Sequence, residues 1–407
     1  MYYARLSETG IKEASEQFPV ILLTGPRQVG KTTVLQHLCG DDRRYVTLDD
    51  LAHRALANED PALFLQKYPP PILIDEIQYA PSLLPYIKMD VDTKRVPGAY
   101  WLTGSQQFVL MQGITESLAG RVAIMNLLGF SGREKVRGDL SPEPFLPTEA
   151  NLASRSRSPR PTNVRTIFQE IWKGSFPALL VGEVSDKELF FSSYLQTYIE
   201  RDVRDLAQIG NQASFVRFLK VSAARTGQLL NISELARDVD VSVATAKSWL
   251  GILEASYQVL LLPPYHSNIT KRLVKAPKLY FLDTGFCSYL TGWSSPETLA
   301  SGAMAGPIFE TWVLGEIVKS WWHRLKLPAL YYYRDRDGRE IDFLIAQDQY
   351  LYPIEAKLGA TPRPEWIRTF KTLERFAGER GPGAVICLCQ ESYALDPLTT
   401  AVPAGNL

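Results

Sequence analysis

The stretch "GPRQVGKT" runs from Gly25 to Thr32 and has the spacing G-x-x-x-x-G-K-[ST] without a mismatch. Gly25 and Gly30 let the backbone curl until its N–H groups face one point, and the helix that follows adds the positive end of its dipole. Such a cradle suits a polyphosphate. Pro26, Arg27, Gln28 and Val29 form its wall, Lys31 reaches the β and γ phosphates, Thr32 takes a place on Mg²⁺, and Thr33 follows it into the helix. The partner acids lie in "ILIDEI". Asp75 closes the apolar run Ile72, Leu73 and Ile74 at a strand end and is expected in the Mg²⁺ shell, while Glu76 is placed to orient or deprotonate an attacking water. "WLTGSQQ" brings Thr103 and Ser105 to the end of another strand, and Ser105 is the expected γ-phosphate sensor. Arg121, after the glycine of "ESLAGRVAIMNL", reads equally as an arginine finger or as a surface ion pair.

A second set of chemical groups lies at 338–357, "GREIDFLIAQDQYLYPIEAK". Side chains two apart on a strand share a face, so Glu340 projects with Asp342, and Glu355 with Lys357. If the two strands pair around "AQDQY", Asp342 and Glu355 converge on one hard divalent cation, Mg²⁺ or Mn²⁺, with Glu310 of "FETWVLGEIV" as a third oxygen ligand. Lys357 would then position or activate a water for in-line attack on a phosphate. The bland alternative is an edge hairpin whose charges are solvated.

These groups need elements to hold them. "FPVILLTGPRQVGKTTVLQHL", "PPPILIDEIQYA" and "AYWLTGSQQ" each put an apolar strand before a polar turn, with helical stretches between them. That pattern predicts an α/β fold with a parallel sheet covered on both faces. Residues 141–163, rich in Pro, Ser and Arg, read as an exposed, partly disordered connection within a first domain spanning 1–206. A helical second domain follows at 207–295. Within it, "NISELARDVDVSVATAKSWLGILEASY" has the cadence of a helix-turn-helix, with Ser233 and Ser242 as candidate N-caps and the strands and wing of a winged helix after it. Residues 207–290 hold nine Lys or Arg against five Asp or Glu. Lys271, Arg272, Lys275 and Lys278 cluster in the wing, where they would suit phosphate contacts. The second helix carries only Lys247 and lacks Arg, Asn and Gln, which argues against base-edge readout. Backbone binding of nucleic acid and a purely packing role both remain open. A small C-terminal α/β domain is expected at 300–407.

The ordered motifs "LTGPRQVGKTT", "LIDEIQ", "LTGSQQ", "SLAGR", "YIERDV", "LLNISELA", "KLYFLDTG", "FETWV", "EIDF" and "IEAK" resemble those of a widespread prokaryotic group of AAA-type ATPases. That resemblance covers nearly the whole chain and implies ATP binding through Gly30, Lys31, Thr32 and Asp75, with Glu76 as catalytic acid. The C-terminal layout with D…E-x-K resembles the restriction-endonuclease-like fold, although Ile341 stands where proline is commonest. The two resemblances imply an ATP-binding protein and slow ATPase whose later domains bind, and could cleave, nucleic acid. The other reading is a nucleotide-controlled switch with a silent nuclease-like domain and a protein partner.

Composition sets the outer bounds. The chain has 407 residues, 45% hydrophobic and 22% charged, with formal net charge +0. No global field draws it to nucleic acid or anionic lipid, so such binding must be local. Cys39, Cys287, Cys387 and Cys389 have no metal-ligand spacing and read as reduced residues. No uncharged apolar run approaches the roughly 20 residues of a membrane span. The start lacks a basic segment followed by an apolar one. The expectation is a soluble, cytoplasmic protein, without membrane partners and free to form oligomers.

Overall fold

Val20–Thr24, "VILLT", is buried along its whole length, as a strand covered by helices on both faces must be. In the computed structural model, which describes residues 2–104, 117–141, 143–198, 212–266, 275–376 and 378–407, this strand (β1) runs through a five-stranded parallel sheet. The other strands are β2 (Arg44–Thr47), β3 (Ile72–Asp75), β4 (Tyr100–Gly104) and β5 (Val122–Asn126), in the spatial order β2-β3-β4-β1-β5. Their inward residues Leu22, Ile74 and Leu102 form one core with Phe64, Leu84 and Ile87 of the covering helices. Helix starts follow local capping chemistry. Asp50 accepts from the N–H groups of Ala52 and His53, and Asp60 caps a helix opened by Pro61.

The chain divides into two compact units. Met1–Phe130 with Ala255–Tyr257 and Trp322–Lys326 make the first, and Ser131–Glu254, Gln258–Trp321 and Leu327–Leu407 the second. The first unit leaves the main run of the chain at Phe130, and the boundary expected near 206 lies outside the described residues. Its two later segments are anchored next to the central strands. Tyr257 Oη donates to Asn126 Oδ1 at 2.8 Å, and the fully buried His323 accepts from the Leu128 N–H at 3.1 Å.

The reason residues from Ser131 onward leave the first unit is a buried polar network in the second. Ser131 and Glu134 form a capping box, and the Gly132 N–H donates to Glu316 at 2.6 Å. Glu316 also holds Lys319 at 3.0 Å, while Arg160 reaches Glu170 with contacts of 3.0 and 3.1 Å. Burial alone would raise the Glu316 carboxyl, but Lys319 and Lys135, then Arg160 and the Gly132 N–H, outweigh it and hold it down at about 2. Residues 141–163 are accordingly not the exposed connection that their composition suggests. Glu149–Arg155 is a helix capped by Thr148, Phe145 is fully buried, and Arg155, Arg160 and Thr162 are buried too. Arginine paired or bonded to carbonyls packs as a core residue, a role that composition alone does not reveal.

The rest of the second unit has a helical part and a mixed sheet. Helices Gln212–Ala224, Ile232–Val239 and Val243–Ala255 accompany a three-stranded antiparallel sheet of β6 (Gln228–Leu229), β7 (Val259–Leu262) and β8 (Lys278–Phe281), ordered β6-β8-β7. Helix Ala305–Trp322 precedes a seven-stranded sheet. Its core is the antiparallel run of β9 (Leu330–Arg334), β10 (Glu340–Gln347) and β11 (Tyr350–Lys357), with the short β12 (Glu379–Arg380) and β13 (Gly383–Cys387) both parallel to β11. The β10–β11 loop is Asp348–Gln349, both with positive φ (50° and 68°), the conformation of a tight two-residue hairpin. Among the described residues no helix is long and apolar enough to cross a membrane.

Candidate functional site

The phosphate loop leaves β1 at Thr24 and enters helix Lys31–Leu38. Three of its residues have positive φ: Gly25 (147°), Gln28 (61°) and Gly30 (89°). A Cβ on Gly25 would lie 2.0 Å from the Leu127 carbonyl oxygen, so only glycine fits there. Gly30, the residue before the helix, makes no side-chain cap, which leaves the first N–H groups of that helix facing outward for an anion. Lys31 is buried, with Nζ donating to the carbonyls of Gly25 (3.0 Å) and Pro26 (2.8 Å), electron-rich oxygens standing where phosphate oxygens would. Arg5 braces the loop from behind. Its guanidinium donates to Val29 O at 2.9 Å and Leu128 O at 2.8 Å and lies over the Phe130 ring.

Parallel pairing of β1, β4 and β3 brings the acids to the same sheet edge. Thr32 Oγ1 donates to Asp75 Oδ1 at 2.7 Å, Tyr45 Oη donates to Asp75 Oδ2 at 3.1 Å, and Thr103 donates to Asp75 as well. Burial and then the Asp75 charge push the Tyr45 phenol up to about 12, so it stays a donor. Glu76 has a left-handed backbone (φ 58°); its N–H donates to Thr103 Oγ1 at 3.1 Å and its carboxylate accepts from Gln78. Thr103 therefore fixes both acids. The hydroxyl of Thr32 beside the carboxylate of Asp75 is a fitting pair of oxygen donors for Mg²⁺.

Ser105, the expected sensor, lies outside the described residues. Arg121 is described, and it is not near the loop of its own chain. Because β5 runs parallel to β1 with Val20 opposite Val122, Arg121 sits at the other end of the sheet, roughly 15 Å from the phosphate loop at about 3.3 Å per residue. There it pairs with Asp92.

The C-terminal acids do come together. The register Phe343 opposite Ile354 brings Asp342 beside Glu355, and Asp342 Oδ2 accepts from the Ala356 N–H at 2.9 Å. Lys357 Nζ lies 2.5 Å from Glu355 and 3.5 Å from Asp342. On the β9 side, the register shifts between Ile341 and Leu344, next to Asp342. Glu310 has other partners: Lys278 Nζ at 3.0 Å and the Tyr280 hydroxyl at 2.5 Å, with Glu340 held by the same lysine. Among the described residues no three His, Cys, Asp or Glu side chains are arranged to hold a metal ion. The three-carboxylate set is thus reduced to Asp342 and Glu355, because a buried lysine draws the third acid away. Four carboxylates here face Lys278, Lys357 and the partly exposed Arg334, one positive charge short of neutrality. Burial and then Asp342 raise the Glu310 carboxyl to about 7, and the same two causes raise Glu355.

Lys278 also corrects the reading of the wing. It is 3% exposed and bound to Glu310 and Glu340, so it cannot contact phosphate; Lys271 and Arg272 lie outside the described residues. The sequence offered no signal for Arg5 or Tyr45, which stand far from any motif. Lys278 was visible as one of a basic cluster, and only pairing with β7 shows that it points inward.

Comparison with known proteins divides the chain in three. Residues 17–136 match an AAA domain, 164–297 a domain of unknown function (DUF8612) and 305–407 another (DUF4143). The uncharacterized proteins Rv2008c of Mycobacterium tuberculosis and Mb2031c of Mycobacterium bovis are each 30% identical over 355 residues, covering 86% of this chain and 73% of theirs. Among solved structures, the Walker-type ATPase paby2304 of Pyrococcus abyssi aligns with 71% of this chain and 96% of its own, at 15% identity and a TM-score of 0.45.

Proposed function

Because this chain carries an AAA domain and belongs to the same family as the uncharacterized mycobacterial proteins, we propose that it binds MgATP at residues 25–33 and hydrolyses it slowly. The observation that carries the reading is the chain of contacts from Thr32 through Asp75 to Thr103 behind a glycine-formed cradle. Bound between Thr32 and Asp75, Mg²⁺ would neutralise charge on the β and γ phosphates. Lys31 exchanges the carbonyls of Gly25 and Pro26 for phosphate oxygens. Glu76, held by Gln78 and by the Thr103 bond to its N–H, orients the water and accepts its proton. Phosphate release from ATP that requires Mg²⁺ and stops on chelation is the direct test; turnover indifferent to chelator would sink the assignment.

Arg121 acts, in this reading, on the site of a neighbouring copy, since its own lies at the far sheet edge. ATP turnover per chain should then rise with protein concentration and flatten once the oligomer is complete. Arg121→Ala should remove that rise. Turnover per chain constant from dilute to concentrated protein, with a monomer by light scattering, would leave Arg121 as the partner of Asp92 alone.

For the later domains we infer a role on nucleic acid. Helices Gln212–Ala224, Ile232–Val239 and Val243–Ala255 with the β6-β8-β7 sheet have the element order of a winged helix, and Ala305–Trp322 with β9, β10, β11 and β13 that of a restriction-endonuclease-like core. Both suit backbone contacts without sequence specificity. Asp342 and Glu355 supply two oxygen ligands where Mg²⁺ or Mn²⁺ takes about six, leaving waters or phosphate oxygens to complete the shell. The competing reading, a silent domain that binds a protein, is favoured by the engagement of Glu310 with Lys278. Linear, nicked and circular DNA incubated with ATP and Mn²⁺ separates the two. Cleavage lost in Asp342→Asn supports the first; intact DNA under every condition supports the second; nicking that survives the substitution belongs to a contaminant.

A further inference from the structure

Helices Val164–Lys173 and Thr284–Leu290 and the start of helix Lys187–Thr197 border a cavity of about 350 Å³, a size typical of small-ligand sites (about 300–1,000 Å³). Trp172, Tyr289 and Trp293 form its aromatic lining. The Trp172 indole is braced by a bond from Nε1 to Trp293 O at 2.8 Å. Close by, Gly174 and Gly285 pack backbone to backbone: a Cβ on Gly285 would meet Gly174 Cα at 2.6 Å.

Lys187 lines the same cavity and is only 7% exposed. Its Nζ donates to a hydroxyl, Ser288 Oγ at 2.8 Å, rather than to a carboxylate, and lies 3.8 Å from the centre of the Trp172 ring. A lysine kept there for packing alone would be worse than methionine, because its amine must lose water without gaining a counter-charge at contact distance. Desolvation lowers this amine to about 7, against the weaker attraction of Asp283, Glu188 and Cys287. Near neutral pH a large share is therefore the uncharged nucleophile, as in other lysines desolvated by apolar pockets. None of the nucleotide chemistry uses it.

We propose that this cavity is a binding site for a small aromatic aldehyde, stacked on its tryptophan walls and captured by Lys187 as an imine. The balance is simple. The Nζ lone pair forms a bond to the carbonyl carbon, a proton passes from nitrogen to oxygen, and the carbinolamine loses water to leave C=N. Ser288, bonded to Nζ and to the carbonyls of Gly285 (2.9 Å) and Trp172 (3.2 Å), holds the amine in place for attack.

The test uses the full chain with benzaldehyde and sodium cyanoborohydride at about pH 7, where exposed lysines stay protonated. Hydride reduces the imine to a stable benzyl amine that peptide mass mapping locates. Lys187 should carry the dominant adduct, roughly tenfold above any other lysine, with quenching of tryptophan fluorescence as it forms. Lys187→Arg should lose the adduct. Ser185→Trp, which would fill the exposed lip of the cavity, should lose it too. Labelling spread evenly over surface lysines, or labelling of Lys187 unchanged by Ser185→Trp, overturns the proposal.

Discussion

Lys31→Ala should abolish nucleotide binding while the fold of the first unit survives. Lys31 is held by two carbonyls that a phosphate would replace, and its ammonium is the cation that the motif offers to the β and γ positions. Losing two charged hydrogen bonds at about 1.5–3 kcal/mol each lowers affinity by roughly 100- to 10,000-fold. Glu76→Gln should behave differently, keeping ATP affinity within about threefold while turnover drops by about 100-fold or more, because only proton acceptance is removed. Titration with a fluorescent ATP analogue beside phosphate release separates the two variants. Unchanged affinity in Lys31→Ala would show that the phosphates lie elsewhere.

The second large effect is on stability. Glu316 is buried with Lys319, and Lys135 and Arg160 lean on the same charge. Glu316→Ala leaves those cations without it and should cost about 3–5 kcal/mol, the usual range for removing one member of a buried ion pair. For a unit of this size that is a fall in Tm of roughly 10 °C. Replacing Glu316 and Lys319 together by methionine should recover much of the loss, since no charge is then orphaned at that pair. The same group fixes an acid limit. Its carboxyl is lowered from 4.5 to about 2, so its contribution is complete above pH 4.5 and disappears as pH falls towards 2. The amount involved is about 3 kcal/mol. Acid unfolding followed by circular dichroism should show a shallower dependence in the double methionine variant. An equal slope would mean that other carboxylates govern the transition.

The glycine-formed loop was legible because its pattern is local: Gly25, Gly30, Lys31 and Thr32 fall within one turn between a strand and a helix, and strand ends mark Asp75 and Glu76. The α/β class and the β10–β11 hairpin were legible for the same reason, through alternation and a short polar turn. What escaped depends on long-range pairing. Arg121 reads as a finger until the register of β5 against β1 carries it to the opposite edge. Glu310 reads as a ligand until β8 sets Lys278 beside it. Residues 141–163 read as a loop because arginine and proline suggest solvent, whereas their guanidiniums are used on buried carbonyls and on Glu170. Arg5 bonds the phosphate loop from a position that no pattern connects to it.

The bulge in β10 acts as a phase dislocation in the strand. Ile341 and Leu344 enter the same apolar core although they lie an odd number of residues apart, which strict alternation forbids. Before the dislocation one parity faces the core, and after it the other does, with Asp342 in the slip between them. The acid therefore belongs to neither packing series. Exchange of its carboxylate for an amide should therefore leave both series in phase. Deleting one residue at the slip would leave Ile341 and Leu344 an even number of residues apart, so that a single unbroken alternation would keep both on the core face.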